Sequence, residues 1–203
     1  MSASPRLPWE VIERIIGHPG DYWRTLRSLS LTCKQLRPYS LWLMVADVTF
    51  SRSEKIFAFR DFLCTQPQFR PFVRSIGMGD PTYLAFHLLY LLPNVTQMTM
   101  LDYSIRRGSP PRVCSLPRSV LACYRTMGTR IETLRLVRLS FPNPQEFCRM
   151  LLAFTGLRTL SCKRLSARST TCTSAQLAQI KQRMSQRLRL STLEVNAVQS
   201  CSA

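Results

Sequence analysis

The chain has 203 residues, a formal net charge of +17 and 45% hydrophobic residues. This is the composition of a globular protein with one domain, or with a small module and a second domain, and it excludes disorder throughout the chain. The charge is uneven, because residues 1–101 hold 11 basic and 7 acidic side chains whereas residues 102–203 hold 17 and 4. That excess permits a nucleic acid, a membrane surface or an acidic protein as partner, or simply an arginine-rich solvated surface. The cations are scattered and form no five-residue basic run, so we do not expect a nucleic-acid arm.

Membrane insertion and secretion are not expected. The longest apolar stretch, Tyr83 to Leu92, is interrupted by His87 and followed by Pro93, whereas a spanning helix needs ~20 apolar residues. Residues 1–5 show no signal-peptide pattern. We therefore expect a cytoplasmic or nuclear protein that does not enter a membrane.

The cysteines and histidines do not form a recognisable metal or catalytic motif. The eight cysteines show no Cys-x-x-Cys pair, and Cys148 and Cys162 lie in apolar patterns typical of small core residues. His18 lies in a Gly-Pro turn and His87 in an apolar run, without a nearby nucleophile in a motif. No phosphate-binding Gly-rich loop is present. We expect reduced thiols, no metal, no cofactor and no enzymatic activity.

The first forty-five residues predict two short helices. Pro8 suits a first helical turn, and Val11, Ile12 and Ile15 then share one face of a helix over 8–16. After the turn at 17–20, Asp21 can cap a second helix that extends to about Leu36 and ends before Pro38. Two such helices bury little apolar surface, so we expect them to pack on the remaining chain, on a partner, or on both.

The motif in this segment resembles an F-box. Leu-Pro-x-Glu-Val-Ile-x-x-Ile-Ile over 7–16 is followed at the expected distance by a leucine-spaced segment that ends in Thr-Cys-Lys-Gln-Leu over 32–36. It is most similar to fungal F-box-like proteins. The resemblance implies docking on the Skp-family adaptor and cullin core of an SCF (Skp–cullin–F-box) ubiquitin ligase. By matched position it assigns adaptor contact to Leu7, Pro8, Val11, Ile12, Ile15, Leu26 and Leu29, and an F-box core role to Cys33 and Leu36. An internal helical hairpin is the alternative interpretation.

The remaining chain repeats one apolar pattern. Two-, one- and two-residue gaps separate its four apolar positions, and copies begin at Val95, Ile131, Leu157 and Leu190, with partial copies at Val45 and Val73. A helix signal lies between copies. These signals are a capping box over 51–54, Asp80-Pro81, Leu116-Pro117, Asn143-Pro144 with a closing Gly156, and Ser174.

Alternating strands and helices predict an α/β fold with a parallel sheet. The pattern resembles an irregular leucine-rich repeat, which implies a strand–helix arc over 45–203 that follows the F-box-like module over 5–44. A small open α/β sheet is the alternative. The chain ends soon after a predicted strand without a polar cap, so a decayed or truncated repeat protein is a further possibility.

Residues between the apolar strand positions should face an open surface, among them Gln97, Thr99 and Ser161. The candidate partner surface consists of five cations, Arg135, Arg138, Arg158, Lys163 and Arg164. On adjacent strands these could receive an acidic or phosphorylated peptide, unless they are ordinary solvated residues. The predicted function is a non-catalytic substrate-recognition adaptor, and the alternative is nucleic-acid binding through the basic C-terminal half.

Overall fold

The computed structural model describes residues 11, 14, 23–32, 34–79, 87–102, 113–169 and 174–196. The chain divides into two compact units, Met1–Val48 and Thr49–Ala203. The sequence-based boundary lay between residues 44 and 45. The predicted helix over 8–16 lies almost wholly outside the described residues, although Val11 and Arg14 are helical.

Two helices are described in the first unit. They are α1 (Trp23–Thr32) and α2 (Arg37–Ala46), which pack against each other. The prediction that one helix extends to Leu36 and ends before Pro38 is wrong, because a turn over 34–36 interrupts it and Pro38 lies in the first turn of α2. Proline is tolerated there because a first-turn residue has no helical carbonyl to which an amide could donate.

The second unit alternates strands and helices. Its strands are β1 (Asp47–Phe50, which spans the boundary between the units), β2 (Ser75–Met78), β3 (Gln97–Leu101), β4 (Thr133–Val137), β5 (Ser140–Phe141), β6 (Thr159–Lys163), β7 (Ser166–Ala167) and β8 (Thr192–Asn196). Its helices are α3 (Ser53–Thr65), α4 (Arg118–Met127), α5 (Pro144–Leu151) and α6 (Ser174–Arg187), with 3₁₀ turns at Pro67–Phe72 and Leu89–Leu91.

The sheets confirm the predicted α/β class with a mostly parallel sheet. Six strands lie in the order β1-β2-β3-β4-β6-β8, and β5 pairs with β7 in a second, two-stranded sheet. All pairs from β2 to β8, and the β5–β7 pair, are parallel. Each of the six strands begins two residues after the first apolar position of its pattern, for example β4 at Thr133 after Ile131.

One hydrogen-bond motif recurs at the entrance of successive strands. A single carbonyl just before a strand accepts two consecutive amides that lead into the next strand, at 2.8–3.1 Å. The accepting carbonyls are those of Arg74, Thr96, Glu132 and Arg158. A second repetition joins residues 133–141 and 159–167, which share the sequence Thr-Leu-x-x-x-Arg-Leu-Ser and place Arg138 and Arg164 at φ 57° and 56°. The strands are therefore successive copies of one backbone unit.

The apolar positions of the pattern form the core on one side of the sheet. Ile76, Met98, Leu134 and Leu160 are buried, as are Met78, Met100, Leu136 and Cys162 one step along the strands. Helix residues such as Val120, Tyr124 and Leu151 are buried as well. The pattern continues into β8, but Leu193 and Val195 are 60% and 61% exposed although they pair in register with Leu160 and Cys162.

The helix signals before α4 (Leu116-Pro117), α5 (Asn143-Pro144) and α6 (Ser174) are confirmed. The Asn143 side chain caps α5 by accepting the Glu146 amide at 2.9 Å, as the sequence indicates. The signal at Asp80-Pro81 lies outside the described residues. Two details of the predicted signals are wrong. The expected capping box over 51–54 is wrong, because α3 begins at Ser53 and Arg52 stands at the cap without a side-chain hydrogen bond. Gly156 does not close α5, which ends at Leu151. A side chain has no room at this position, because a β-carbon would meet the Thr129 carbonyl.

Candidate functional site

The positions that the motif matches to adaptor contact, together with the F-box core positions Cys33 and Leu36, fall into three groups in the N-terminal unit. Leu7, Pro8, Ile12, Ile15 and Cys33 lie outside the described residues. Val11 is helical and exposed. Leu26 is buried, and Leu29 and Leu36 are half-buried. The described leucines thus belong mainly to the packed side of α1, whereas Val11 is open to solvent.

A second apolar stripe runs along the solvent side of α1. Trp23 is 60% and Leu31 76% exposed, and both occur at four-residue spacing with Arg27 between them. The Arg27 guanidinium lies 5.9 Å from the centre of the Trp23 ring, within cation–π distance. The nine residues from Trp23 to Leu31 span about 12 Å of helix. The sequence motif does not indicate this stripe, because its leucine spacing marks the packed side of the helix, although Trp23, Arg27 and Leu31 share a four-residue spacing.

The open face of the sheet carries polar side chains in rows. Thr133, Thr159 and Thr192 are in register, and the next row contains Arg135, Ser161 and Glu194. Ser161 is buried, contrary to the expectation that it faces solvent, because it lies between the longer side chains of Arg135 and Glu194. A carboxylate therefore lies two strands from Arg135 in the same row.

The five cations of the candidate partner surface do not form one row on this face. Arg135 and Lys163 are exposed on adjacent strands, and Arg158 is exposed just before β6. Arg138 and Arg164 instead follow β4 and β6 at the carboxyl ends of the strands, in the left-handed backbone region. A non-glycine residue there costs roughly 1–2 kcal/mol. Two of the five cations therefore lie on the strands, two follow the carboxyl ends of the strands, and Arg158 precedes a strand.

An apolar groove lies beside the carboxyl ends of β5 and β7. It has a volume of about 190 Å³, is open to solvent, and lies between the two-stranded sheet and the start of α5. The rings of Phe141 and Phe147 meet edge to face there, 5.2 Å apart. The groove is lined by Phe141, Pro144, Phe147, Leu165, Ser166 and Ala167, together with the cap residue Asn143.

Two ionisable groups in the described part of the chain have a clearly shifted pKa. Burial raises the pKa of the Cys162 thiol, which keeps it protonated in the core. A hydrogen bond from the Arg60 guanidinium to Asp61 raises the pKa of Arg60 on the surface of α3. The described residues contain no cluster of three or more metal-ligating side chains. None of the described helices is both long enough and apolar enough to cross a membrane.

What the geometry offers is binding surface: an exposed apolar stripe on α1, a polar sheet face, and an apolar groove with cations nearby. No protein-family model matches this chain, and no curated protein is found to be similar to it.

Proposed function

We propose that the protein is a non-catalytic adaptor that binds a Skp-family protein of an SCF-type ubiquitin ligase through its N-terminal helices and presents a protein target through residues 49–203. The observation that carries the proposal is that α1 has apolar side chains on two sides, one buried and one exposed. Leu26 is buried, while Trp23 and Leu31 remain exposed on another side of the same helix. A helix with an additional exposed apolar stripe is suited to a protein partner.

The motif supports the identity of that partner. The F-box-like pattern runs over 7–16 and 26–36, and its second segment overlaps the helix that carries the exposed stripe. Val11, from the first part of the motif, is exposed as well. A Skp-family adaptor binds helical apolar surface of this kind in the family that the motif resembles.

The second half of the proposal is a leucine-rich-repeat-like arc over residues 49–203. It is supported by the repeated double hydrogen bond at strand entrances and by the Thr-Leu-x-x-x-Arg-Leu-Ser copies. Repeats of this kind place one side of a parallel sheet in solvent, where partners can bind. The adaptor would act by raising the local concentration of its target near the ubiquitin-charged enzyme.

Affinity capture tests the proposal in cells. The tagged full chain is expected to co-purify with a Skp-family adaptor and a cullin, and the Leu7→Ala/Pro8→Ala double variant is expected to lose both. Trp23→Ala is expected to reduce capture as well, since it removes an exposed ring. Thr25→Ala, at another exposed position on α1, is the matched control and should leave capture unchanged. A folded wild-type chain that captures neither protein would contradict the proposal.

A further inference from the structure

We propose that the groove beside the carboxyl ends of β5 and β7 binds an acidic segment of a partner protein through one aromatic or leucine-sized side chain. This inference deepens the proposed function, since it names the class of target that residues 49–203 would take. It also moves the binding site from the open face of the sheet to the groove and the two arginines that flank strand β7.

The size and lining of the groove select a single apolar side chain. A cavity of about 150 Å³ holds one benzene ring, so about 190 Å³ accommodates one aromatic or leucine-sized side chain but not two. The lining atoms come mainly from Phe141, Pro144, Phe147 and Leu165. An incoming ring can meet the Phe147 ring at its edge or face, as Phe141 already does.

Two polar side chains line the groove, those of Asn143 and Ser166. The Asn143 side-chain oxygen already accepts the Glu146 amide, so it is engaged in the helix cap. The hydroxyl of Ser166, an exposed residue, is the polar lining group that can face a bound backbone. The groove therefore has a binding position for one apolar side chain, and few groups in it require a hydrogen bond from the ligand.

The charge around the groove selects acidic neighbours for that side chain. Arg164 and Arg168 flank the lining residues 165–167, and both are exposed. Neither side chain has a hydrogen bond or ion pair within the part of the chain that the structure describes. The carboxylate closest along the chain to the groove-lining Phe147 is Glu146, and it is paired with Arg149. Two exposed arginines next to the groove-lining residues, without an ion pair among the described residues, favour carboxylates on the ligand.

The backbone at Arg164 lies in the left-handed region, as it does at Arg138 in the preceding copy of the repeat. Arginine occupies the left-handed position at both Arg138 and Arg164, where glycine would avoid the steric cost. Such strain is concentrated at binding sites and switch regions in proteins. Arg164 is exposed and directly precedes the groove-lining Leu165 in the chain.

Peptide display on the purified full chain tests the inference. The probe is a library of random twelve-residue peptides, followed by fluorescence anisotropy with labelled copies of the enriched sequences. We expect enrichment of peptides with one aromatic or leucine residue between acidic residues. Replacing that apolar residue by alanine should weaken binding at least tenfold, because a buried aromatic side chain is worth that much.

Variants of the protein separate groove binding from general attraction to a basic surface. Ala167→Phe fills the groove without changing the charge and should weaken binding tenfold or more. Arg164→Glu/Arg168→Glu should weaken it at least fivefold and reduce its salt dependence. Arg118→Glu/Arg125→Glu makes the same charge change at exposed positions of α4 and is the matched control, with an expected change below twofold. Circular dichroism checks the fold of each variant.

The outcomes distinguish this inference from the proposed function. The groove is excluded as the site if the folded chain enriches no peptides, if the enriched peptides bind Ala167→Phe as tightly as wild type, or if they lack a required apolar residue. Skp-family capture does not involve Ala167, so capture that persists alongside any of these results would overturn the groove alone. Groove-dependent peptide binding without Skp-family capture would support the groove and overturn the ligase role.

Discussion

The amide of Gly156 donates to the carbonyl of Gly128 at 3.1 Å, which joins the loop after α5 to the end of α4. Both glycines lie where a side chain has no room. A β-carbon on Gly156 would lie 2.1 Å from the Thr129 carbonyl oxygen, and one on Gly128 would lie 2.1 Å from that of Ala153. Neighbouring strand–helix units therefore touch through bare backbone at this point.

Gly156→Ala is expected to destabilise residues 49–203 by more than about 2 kcal/mol, because backbone oxygens cannot move aside as a flexible side chain can. Urea denaturation followed by circular dichroism measures the free energy of unfolding. Thr155→Ala is the control, since Thr155 is exposed beside Gly156 and should change stability by less than about 0.5 kcal/mol. Equal effects of the two substitutions would contradict the close contact.

The left-handed backbone of Arg164 predicts a different ranking of substitutions. Arg164→Val should lower the free energy of unfolding by about 1 kcal/mol or more, because a β-branched side chain is poorly tolerated at φ 56°. Arg164→Gly should be neutral or stabilising, since relief of the backbone strain offsets the greater freedom of glycine in the unfolded chain. The same ranking is expected at Arg138, and thermal melts of the four variants check it. A valine variant as stable as the glycine variant would contradict the assigned conformation.

The buried hydroxyl of Ser40 predicts a stabilising substitution. Ser40 is fully buried in α2, and its oxygen has no hydrogen-bond partner among the described residues. Ser40→Ala removes this unsatisfied group and raises helix propensity, so we expect a gain of about 1 kcal/mol in unfolding free energy. Ser28→Ala provides the comparison, because Ser28 is exposed on α1 and donates to the Arg24 carbonyl at 3.0 Å. Its gain should be smaller, and a reversed order would show that Ser40 is satisfied.

The Cys162 thiol predicts a pH dependence of stability. Burial raises its pKa above the ordinary value of 9.0, so the unfolded chain loses this proton at a lower pH than the folded chain. At neutral pH the thiol is protonated in both states, and its full contribution to the free energy of unfolding is present. This contribution falls as the pH rises above about 9, because the unfolded chain then loses the proton first. Unfolding free energies at pH 7, 8, 9 and 10 for wild type and Cys162→Ala measure this effect. The wild type should lose more stability than the variant between pH 8 and pH 10, and parallel curves would contradict the prediction.

The regular features of the fold could be predicted because they depend on short sequence patterns. An apolar residue two positions before each strand, as at Ile131 and Leu157, marks where the chain enters the core. The Asn143 cap could also be predicted, since its hydrogen bond spans three residues. The break between α1 and α2 was missed, because Pro38 fits the end of one helix as well as the start of the next.

The candidate surfaces depend on contacts between distant segments, which such patterns do not contain. The groove forms where the two-residue strands β5 and β7 meet α5, and strands that short leave no periodic signal. Ser161 is buried by its register neighbours on other strands, Arg135 and Glu194. The exposure of Leu31 likewise depends on which side of α1 packs against α2, which the leucine spacing alone does not determine.

Titration calorimetry of the purified chain with a recombinant Skp-family adaptor tests the ligase role most directly. We predict one-to-one binding by the wild type. Leu31→Glu should weaken it at least tenfold, because it places a charge in the exposed apolar stripe of α1. Thr25→Glu, which introduces the same charge at another exposed position of that helix, should change the affinity less than twofold. Absence of binding by the folded wild type, or equal affinities of wild type and Leu31→Glu, would contradict docking through α1.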